Sequence, residues 1–287
     1  MASPQARVRS LMQRYQLAPN RRLGQHFLVD PGALAAVLGA FAPTPDERVV
    51  EIGPGTGLLT EGLLAAGATV LAVELDAGLV RLLQAELAHP ALELVHGDCL
   101  AGKHQLHPAV VAWAQAGDWS LCANLPYDVS IPVLLEALAL PRPPRRVVVT
   151  VQYEAAQRLC SQPGDPAWGA SAAVAAMAGK GRIAHRLPPE AFHPRPRVAS
   201  AVLVYEVHGR VPEGFGAWIR RLFAYRRKQV LRALRDCPCP AEVAASICVM
   251  AGVDPQTRVE RLAVDELVAL HQAWQCRHTV SPSQGAS

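Results

Sequence analysis

The 287-residue sequence has few aromatic side chains and no long apolar run. Phe, Trp and Tyr make up 5% of the residues, so we expect a core built mainly from small aliphatic side chains. No segment reaches the roughly 20 apolar residues that a membrane-spanning helix requires, and no apolar stretch near the amino terminus resembles a signal sequence. Repeats and low-complexity segments are not evident. The composition predicts a globular, cytoplasmic protein without a membrane partner.

The sequence also lacks paired cysteine spacings. Its seven cysteines are scattered, and an odd number of cysteines without paired spacing is typical of a reducing compartment. Cys237-Pro-Cys239 is a close pair, but no second pair or nearby histidine completes a metal site. We expect neither a disulfide framework nor a bound metal.

Lysine is scarce, with three residues among 28 cations, and the rest are arginines. The formal net charge of +4 hides a segregation of charge along the chain. Residues 1–30 carry five Arg and one Asp, and residues 180–235 carry thirteen basic and three acidic side chains, whereas residues 31–179 have seven basic and fourteen acidic ones. Because guanidinium groups bind phosphate in a bidentate manner, this pattern favours a polyanionic partner such as nucleic acid.

Strand-like and helix-like segments alternate from residue 31 onward, which predicts βαβ units and a parallel sheet. After Gly209 the pattern becomes helical, with helices expected at 215–234, 241–251 and 263–274. We therefore predict a basic amino-terminal arm over 1–30, a doubly wound, Rossmann-like α/β domain over 31–208, a small helical domain over 209–276 and a disordered tail over 277–287.

A glycine-rich loop, Glu51-Ile-Gly-Pro-Gly-Thr-Gly57, follows the first predicted strand and opens a helix. Gly53 and Gly55 allow a tight turn and a close backbone approach to a ligand. Glu74 ends the next strand, where a carboxylate can accept both hydroxyl groups of a ribose. Leu58 occupies the position of the third glycine in the dinucleotide-binding pattern. The loop by itself therefore does not determine which nucleotide binds.

Asp98 follows the third strand, where a carboxylate can bind an adenine amino group. Together with Glu51, Gly53 and Glu74, it resembles the arrangement of S-adenosylmethionine-dependent methyltransferases. That cofactor lacks a pyrophosphate, so no phosphate-binding helix end is needed.

The fourth strand ends in Asn124-Leu125-Pro126-Tyr127, which resembles the motif of methyltransferases that modify an exocyclic amino nitrogen of a base. That nitrogen is a poor nucleophile because its lone pair is delocalised into the ring. The Asn124 oxygen and a carbonyl group of Leu125 or Pro126 are suited to accept its two N–H groups and to hold it in line with the methyl donor. Tyr127 is placed to stack on the flipped base.

Further segments resemble the ribosomal RNA adenine dimethyltransferases. Residues 191–201 are similar to the family's FxPxPxVxSA segment, and 152–159 to its QxExAxRL helix. Segments 222–231 and 258–262 match family motifs of the carboxyl-terminal part. The LGQHFL stretch at 23–28 is similar to the family's LGQxFL motif, which precedes the first βα unit. The resemblance implies that this stretch forms a lid over the methionine end of the cofactor. The resemblance covers about residues 20–272.

The resemblance implies S-adenosylmethionine-dependent N6,N6-dimethylation of two adjacent adenines in the 3′-terminal hairpin of small-subunit rRNA. The catalytic residues it implies are Asn124, Leu125, Pro126, Tyr127 and Phe192, the last as the second face of an adenine sandwich. The cofactor contacts it implies are His26, Leu28, Gly53, Gly55, Glu74, Asp98 and Asn124. The expected RNA contacts are Arg21, Arg22, Arg195, Arg197, Arg226, Arg227 and Lys228. The expected partner is the 30S precursor, bound by a monomer.

Three residues depart from the family pattern. His26 and Asp128 stand where members commonly have Asn, and Tyr153 stands where Lys or a similar residue is common. We expect Asp128 to cap the helix that starts near Ile131.

Two alternatives share most of these motifs. One is a large-subunit rRNA adenine dimethyltransferase of the macrolide-resistance type, and the other is a catalytically weakened ribosome-assembly binding protein. A DNA or small-molecule amino-methyltransferase is disfavoured by the Phe192 segment and by the basic helical part.

Overall fold

The computed structural model describes residues 3–20, 23–102, 105–237 and 240–278. The chain divides into two compact units, one within Met1–Gln157 and Ala178–Arg210, the other within Arg158–Met177 and Val211–Ser287. The second unit therefore includes residues 158–177, which the sequence analysis assigned to the α/β domain.

Strands and helices alternate through the first two thirds of the chain. The strands are β1 (Phe27–Leu28), β2 (Arg48–Ile52), β3 (Thr69–Glu74), β4 (Leu92–His96), β5 (Leu100–Gly102), β6 (Gln105–Leu106), β7 (Ser120–Asn124), β8 (Arg146–Gln152), β9 (Gly179–Leu187), β10 (Phe192–His193) and β11 (Ser200–Val207). The helices are α1 (Pro4–Arg14), α2 (Pro31–Phe41), α3 (Leu58–Ala65), α4 (Ala77–Glu86), α5 (Pro108–Ala116), α6 (Ser130–Leu138), α7 (Tyr153–Leu159), α8 (Ala170–Ala178), α9 (Phe215–Phe223), α10 (Val230–Asp236), α11 (Ala241–Ala251) and α12 (Val264–His278). Short 3-10 helices lie at Pro189–Ala191 and Val259–Arg261.

Seven strands form the central sheet of the first unit, in the order β4-β3-β2-β7-β8-β11-β9. The strands from β4 to β8 run parallel, β11 is antiparallel to β8, and β9 is antiparallel to β11. Parallel strands joined through helices have their carboxyl ends at one edge of the sheet, where α/β folds bind ligands. The predicted doubly wound α/β fold is confirmed.

The amino-terminal arm contains a helix that the sequence analysis did not specify. Ser3 caps α1 through its side chain, and Pro4 occupies the first turn, where its missing N–H is not needed. Val8, Leu11 and Met12 are buried against a cluster that includes residues of α4 and Phe27. Their spacing places them on one face of the helix, so α1 holds the start of the chain on the first unit.

The predicted helix over 215–234 is divided into α9 and α10. Residues between them form tight turns, in which the Lys228 N–H donates to the Tyr225 carbonyl at 2.8 Å. Gln229 is extended and pairs with Arg258, and the Val230 N–H donates to the Thr257 carbonyl at 2.8 Å. These contacts join segments distant in sequence and override the local helical pattern.

The carboxyl-terminal helix also differs from the prediction. It continues to His278, so residues 277 and 278 belong to α12 rather than to the predicted tail, and residues 279–287 lie outside the described residues. None of the described helices is both long and apolar enough to cross a membrane.

A histidine lies in the core of the second unit. His271 is 0% exposed and is surrounded by the rings of Phe215, Trp218 and Trp274, at centroid distances of 5.3, 5.1 and 6.2 Å. Neither ring nitrogen has a hydrogen-bond partner among the described residues. Burial lowers the pKa of His271 below its ordinary value of 6.5, because the charged ring loses hydration there.

This histidine predicts a loss of stability in mild acid. The unfolded chain takes up a proton at His271 as the pH falls below about 6.5, whereas the folded chain resists it, so folding free energy is lost in that range. We expect the melting temperature to fall less between pH 7 and pH 5 in His271→Leu than in the unaltered chain, as measured by thermal denaturation. Parallel pH profiles for the two proteins would contradict the prediction.

Candidate cofactor and acceptor-base site

A pocket opens where the carboxyl ends of β2, β3, β4 and β7 meet. Its empty volume is about 910 Å³, including the open solvent at its mouth. Its walls come from segments 23–27, 52–55, 73–79, 97–99 and 124–129. The glycine loop, both predicted strand-end acids and the Asn124 motif are therefore brought to one place.

The glycine loop adopts backbone angles that favour glycine. Gly53 and Gly55 have φ values of +68° and +61°. A Cβ atom added to Gly55 would lie 2.9 Å from the ring of Phe27, so the lid packs directly on the loop. Larger residues at this position would separate loop and lid.

Glu74 connects the end of β3 to this loop. Its Oε2 accepts the Gly55 N–H at 3.1 Å, and its Oε1 accepts the Asp76 N–H at 2.9 Å. Burial raises the pKa of Glu74, and the two backbone donors act against that rise. Each carboxylate oxygen has a further lone pair, so the group can still accept ligand hydroxyls.

Glu51 is a buried acid beside the loop. It is 1% exposed, and its Oε2 has no hydrogen-bond partner within the part of the chain that the structure describes. Burial raises the pKa of Glu51 to about 8. Glu51 also lines a smaller cavity together with Leu28, Gly53, Gly55 and Asn124. A buried carboxyl oxygen without a partner at this point suits a ligand that carries positive charge.

Asp98 and three apolar residues form another part of the pocket wall. Asp98 is exposed, and its Oδ1 accepts the Leu100 N–H at 2.9 Å. Leu75, Leu79 and Cys99 also line the pocket, and Leu75 is 44% exposed. Burial raises the pKa of the Cys99 thiol to about 12, so this side chain is a neutral part of the wall. No sequence motif predicts Leu75, Leu79 or Cys99 as pocket residues; the one local signal is that an apolar residue, Leu75, directly follows the strand-end acid Glu74.

The lid is held by a short pairing with the Phe192 segment. β1 and β10 are antiparallel, with Phe27 opposite His193 and Leu28 opposite Phe192. The ring Nδ1 of His26 lies 2.6 Å from the Pro194 carbonyl oxygen. Because a carbonyl group only accepts, Nδ1 carries the proton and donates. Leu28 is buried and contributes to the smaller cavity rather than to the larger pocket.

Asn124 ends β7 with both parts of its amide engaged. Its Nδ2 donates to the backbone carbonyl of His26 at 2.8 Å, and its Oδ1 accepts the hydroxyl group of Thr150. The Tyr127 hydroxyl pairs with Ser200 Oγ at 2.6 Å, and burial raises the pKa of Tyr127. The motif is thus held by the lid, by β8 and by β11.

One expectation about this motif is corrected, and another stays a prediction. Phe192 is 3% exposed and packs in the core cluster that includes Leu28, and the ring stacked on Tyr127 is that of His26, at a centroid distance of 5.1 Å. The role of Phe192 as the second face of an adenine sandwich stays a prediction. Asp128 does not cap α6, which starts at Ser130 after Val129 and has no side-chain cap. Asp128 is exposed and lines the pocket instead.

The predicted RNA-binding residues differ in their surroundings. Arg195, Arg197 and Arg227 are exposed, and Arg195 forms an ion pair with Glu190. Arg226 donates to the carbonyls of Trp168 and Pro166 at 3.1 and 3.3 Å. Lys228 pairs with Asp236 at 2.6 Å. Arg21 and Arg22 lie outside the described residues.

Comparisons with known proteins agree with this geometry. The profile of the family described as "Ribosomal RNA adenine dimethylase" matches residues 17–275. The chain belongs to the ribosomal RNA adenine dimethylase family. It is 36% identical over 266 residues to the ribosomal RNA small subunit methyltransferase A of Synechococcus, covering 88% of this chain and 91% of that protein. It is 36% identical over 277 residues to the protein of that name from Leifsonia xyli, covering 92% and 96%.

Solved structures show the same fold. A dimethyladenosine transferase from Plasmodium falciparum matches with a TM-score of 0.71 and 19% identity, covering 88% of this chain and 98% of that one. The 23S rRNA methyltransferase ErmE matches with a TM-score of 0.59 and 20% identity, covering 87% and 99%.

Enzymes of the ribosomal RNA adenine dimethylase family use S-adenosylmethionine. The residues present fit that cofactor. The orphaned Glu51 oxygen suits a cation, Glu74 is placed at a strand end to accept hydroxyls, and the wall beside it is apolar. The positive φ angles of Gly53 and Gly55 leave the loop open to a close approach.

The buried acid predicts an unusual pH dependence of stability. Between pH 4.5 and about 8, Glu51 is ionised in the unfolded chain but neutral in the folded one, so stability falls as the pH rises. Glu51→Gln should therefore be more stable than the unaltered chain, by a margin that grows by about 1.4 kcal/mol per pH unit in this window. Denaturant unfolding at pH 5, 6.5 and 8 measures the margin, and an equal margin at all three values would contradict the prediction.

Proposed function

We propose that this chain dimethylates N6 of two adjacent adenines in the 3′-terminal hairpin of small-subunit rRNA. The observation that carries the proposal is the Asn124 motif, which lies in the wall of the cofactor pocket and is joined by hydrogen bonds to the lid. Relatives named ribosomal RNA small subunit methyltransferase A support the choice of the small subunit. The proposed partner is the assembling 30S subunit in the cytoplasm, bound by a monomer.

In this proposal the strand-end groups bind the cofactor. Glu74 accepts the ribose hydroxyls, Asp98 the adenine amino group, and Gly53 and Gly55 leave room for the backbone to approach. When bound, S-adenosylmethionine supplies an electrophilic methyl group. A positively charged cofactor would favour the ionised form of Glu51, whose carboxylate would then offset that charge at the buried end of the site.

The lid and Asn124 complete the cofactor contacts. Leu28 supports the smaller cavity beside Glu51, and His26 lies over the pocket. His26 donates from Nδ1 to Pro194, so its Nε2 is the ring atom left for the cofactor. Nε2 donates to a carboxylate group only when the ring is doubly protonated. Asn124 lines the pocket between the cofactor and the target base.

The target amine is held by acceptors of the Asn124 motif. Asn124 Oδ1 accepts one N–H of the adenine N6 through its second lone pair. The carbonyl group of Leu125 or Pro126 accepts the other N–H; the Pro126 carbonyl accepts the Val129 N–H at 3.2 Å and keeps a second lone pair. Tyr127 stacks on the flipped base, a contact worth roughly 1 to 3 kcal/mol. These contacts orient the nitrogen lone pair, and the methylated nitrogen then loses its proton without a dedicated base.

The proposed RNA contacts are exposed arginines, considered in each unit by itself. In the first unit Arg195 and Arg197 are exposed, and in the second unit Arg227 is exposed. Arg21 and Arg22 are proposed from the sequence. Arg226 and Lys228 have partners within the second unit, so we propose that they support the RNA contact of that unit and that Arg227 makes it directly. Phosphate contacts of this kind position RNA and carry little sequence information.

The substrate assignment can be tested directly. The protein is incubated with labelled S-adenosylmethionine and undermethylated 30S or 50S subunits, and dimethyladenosine is mapped. We expect label at two adjacent adenines of the 30S rRNA. Label in 50S subunits alone would favour the large-subunit alternative, and no label in either would favour a binding protein.

The role of Asn124 gives a second test. Asn124→Ala should abolish methyl transfer but keep cofactor binding within about tenfold, because the proposed contact is mainly with the target amine. Calorimetric titration with S-adenosylmethionine and single-turnover methylation of 30S subunits separate the two effects. Loss of cofactor binding with the same severity as the loss of transfer would show that the residue serves the cofactor instead.

A further inference from the structure

A buried hydroxyl group on β8 forms a hydrogen bond with the side chain of Asn124. The Thr150 side chain is 0% exposed and donates to Asn124 Oδ1, and Asn124 Nδ2 donates to the His26 carbonyl at 2.8 Å. The two residues are also direct partners in the pairing of β7 with β8. A hydrogen-bonded chain therefore runs from the sheet through Asn124 to the lid.

The chemistry of the groups determines the direction of every bond in this chain. The His26 carbonyl only accepts, so the amide must present its NH₂ group to the lid. The amide oxygen then faces β8, and the Thr150 hydroxyl must donate to it. One lone pair of Asn124 Oδ1 remains for a further donor.

The composition of β8 indicates that this hydroxyl group serves a purpose other than packing. Its buried neighbours are Val147, Val148, Val149 and Val151, all 0% exposed. A valine at 150 would have nearly the same shape and no buried polar group to satisfy. The backbone of Thr150 makes its own bond to the motif, by accepting the Leu125 N–H at 3.3 Å, and that bond does not depend on the side chain.

Without the hydroxyl group, the amide of Asn124 would lose its bond on the sheet side. Amide groups rotate in a broad torsional well, so a single bond to the lid constrains the oxygen poorly. Thr150 has a branched Cβ with few rotamers, so the position of its hydroxyl group varies little.

We propose that Thr150 is a positioning residue for methyl transfer. It holds Asn124 Oδ1 so that the remaining lone pair meets the N–H of the target amine. The inference rests on the proposed function, in which Asn124 accepts that N–H. It predicts an effect on the transfer step and not on the binding of either substrate.

Two variants at this position test the role. Thr150→Val removes the hydroxyl group at nearly constant shape, and Thr150→Ser keeps it. For Thr150→Val we expect kcat for methylation of undermethylated 30S subunits to fall about tenfold, with both KM values within about twofold. Thr150→Ser should retain kcat within about threefold.

Ser120→Ala is a matched control. Ser120 is a buried residue of the neighbouring strand β7, and its hydroxyl donates to Glu47 Oε1 at 2.7 Å, near the opposite end of that strand from Asn124. This variant loses a buried hydroxyl bond in the same sheet and should keep kcat unchanged. Melting temperatures of all three variants report their stability.

The outcomes separate this inference from the function on which it rests. An unaltered protein that does not methylate 30S subunits would overturn the proposed function, and this role with it. An active protein whose Thr150→Val variant keeps its kcat, or loses affinity for S-adenosylmethionine instead, would overturn only the positioning role. So would an equal fall of kcat in Ser120→Ala.

Discussion

The meeting of parallel strand ends at one edge of the sheet is the constraint on which the candidate site depends. β2 contributes Glu51 and the loop after it, β3 contributes Glu74, β4 leads to Asp98, and β7 ends at Asn124. These groups are far apart in sequence, and the helical connections return the chain to the same edge each time. The pocket follows from the topology, and its chemistry follows from which side chain ends each strand.

The lid is a second constraint on the candidate site, and only a few hydrogen bonds and ring contacts hold it in place. A two-residue pairing between β1 and β10 brings the amino-terminal arm to the Phe192 segment, more than 160 residues away in sequence. His26 connects both sides of the site, since its ring contacts Tyr127 and Pro194 while its carbonyl accepts from Asn124. Each such bond contributes about 1 kcal/mol net, so the lid is held by several weak contacts rather than by one strong one.

The buried polar groups of the site lower the stability of the folded protein. Glu51 and Glu74 are carboxyl groups in a largely apolar setting, and burial raises the pKa of both. A protein core of this size could be filled with aliphatic residues throughout, as β8 nearly is. Three of the buried polar residues, Glu51, Glu74 and Thr150, lie at or next to the candidate site, where each can bind a ligand or a residue of the Asn124 motif.

The sequence by itself determined the fold class and the set of strand-end groups. Apolar runs alternating with helical periods predicted the parallel sheet. The strand-end residues Gly53, Glu74, Asp98 and Asn124 all line the pocket, because a local apolar pattern indicates both burial and the ends of strands. Only the tertiary structure decided which partner each side chain meets. Pairing with residues near 258 separates α9 from α10, and β9 is an edge strand of the sheet. Phe192 packs in the core, and the Thr150 hydroxyl donates to Asn124. Such contacts join residues that are distant in the chain, so the local periodicity of apolar residues does not predict them.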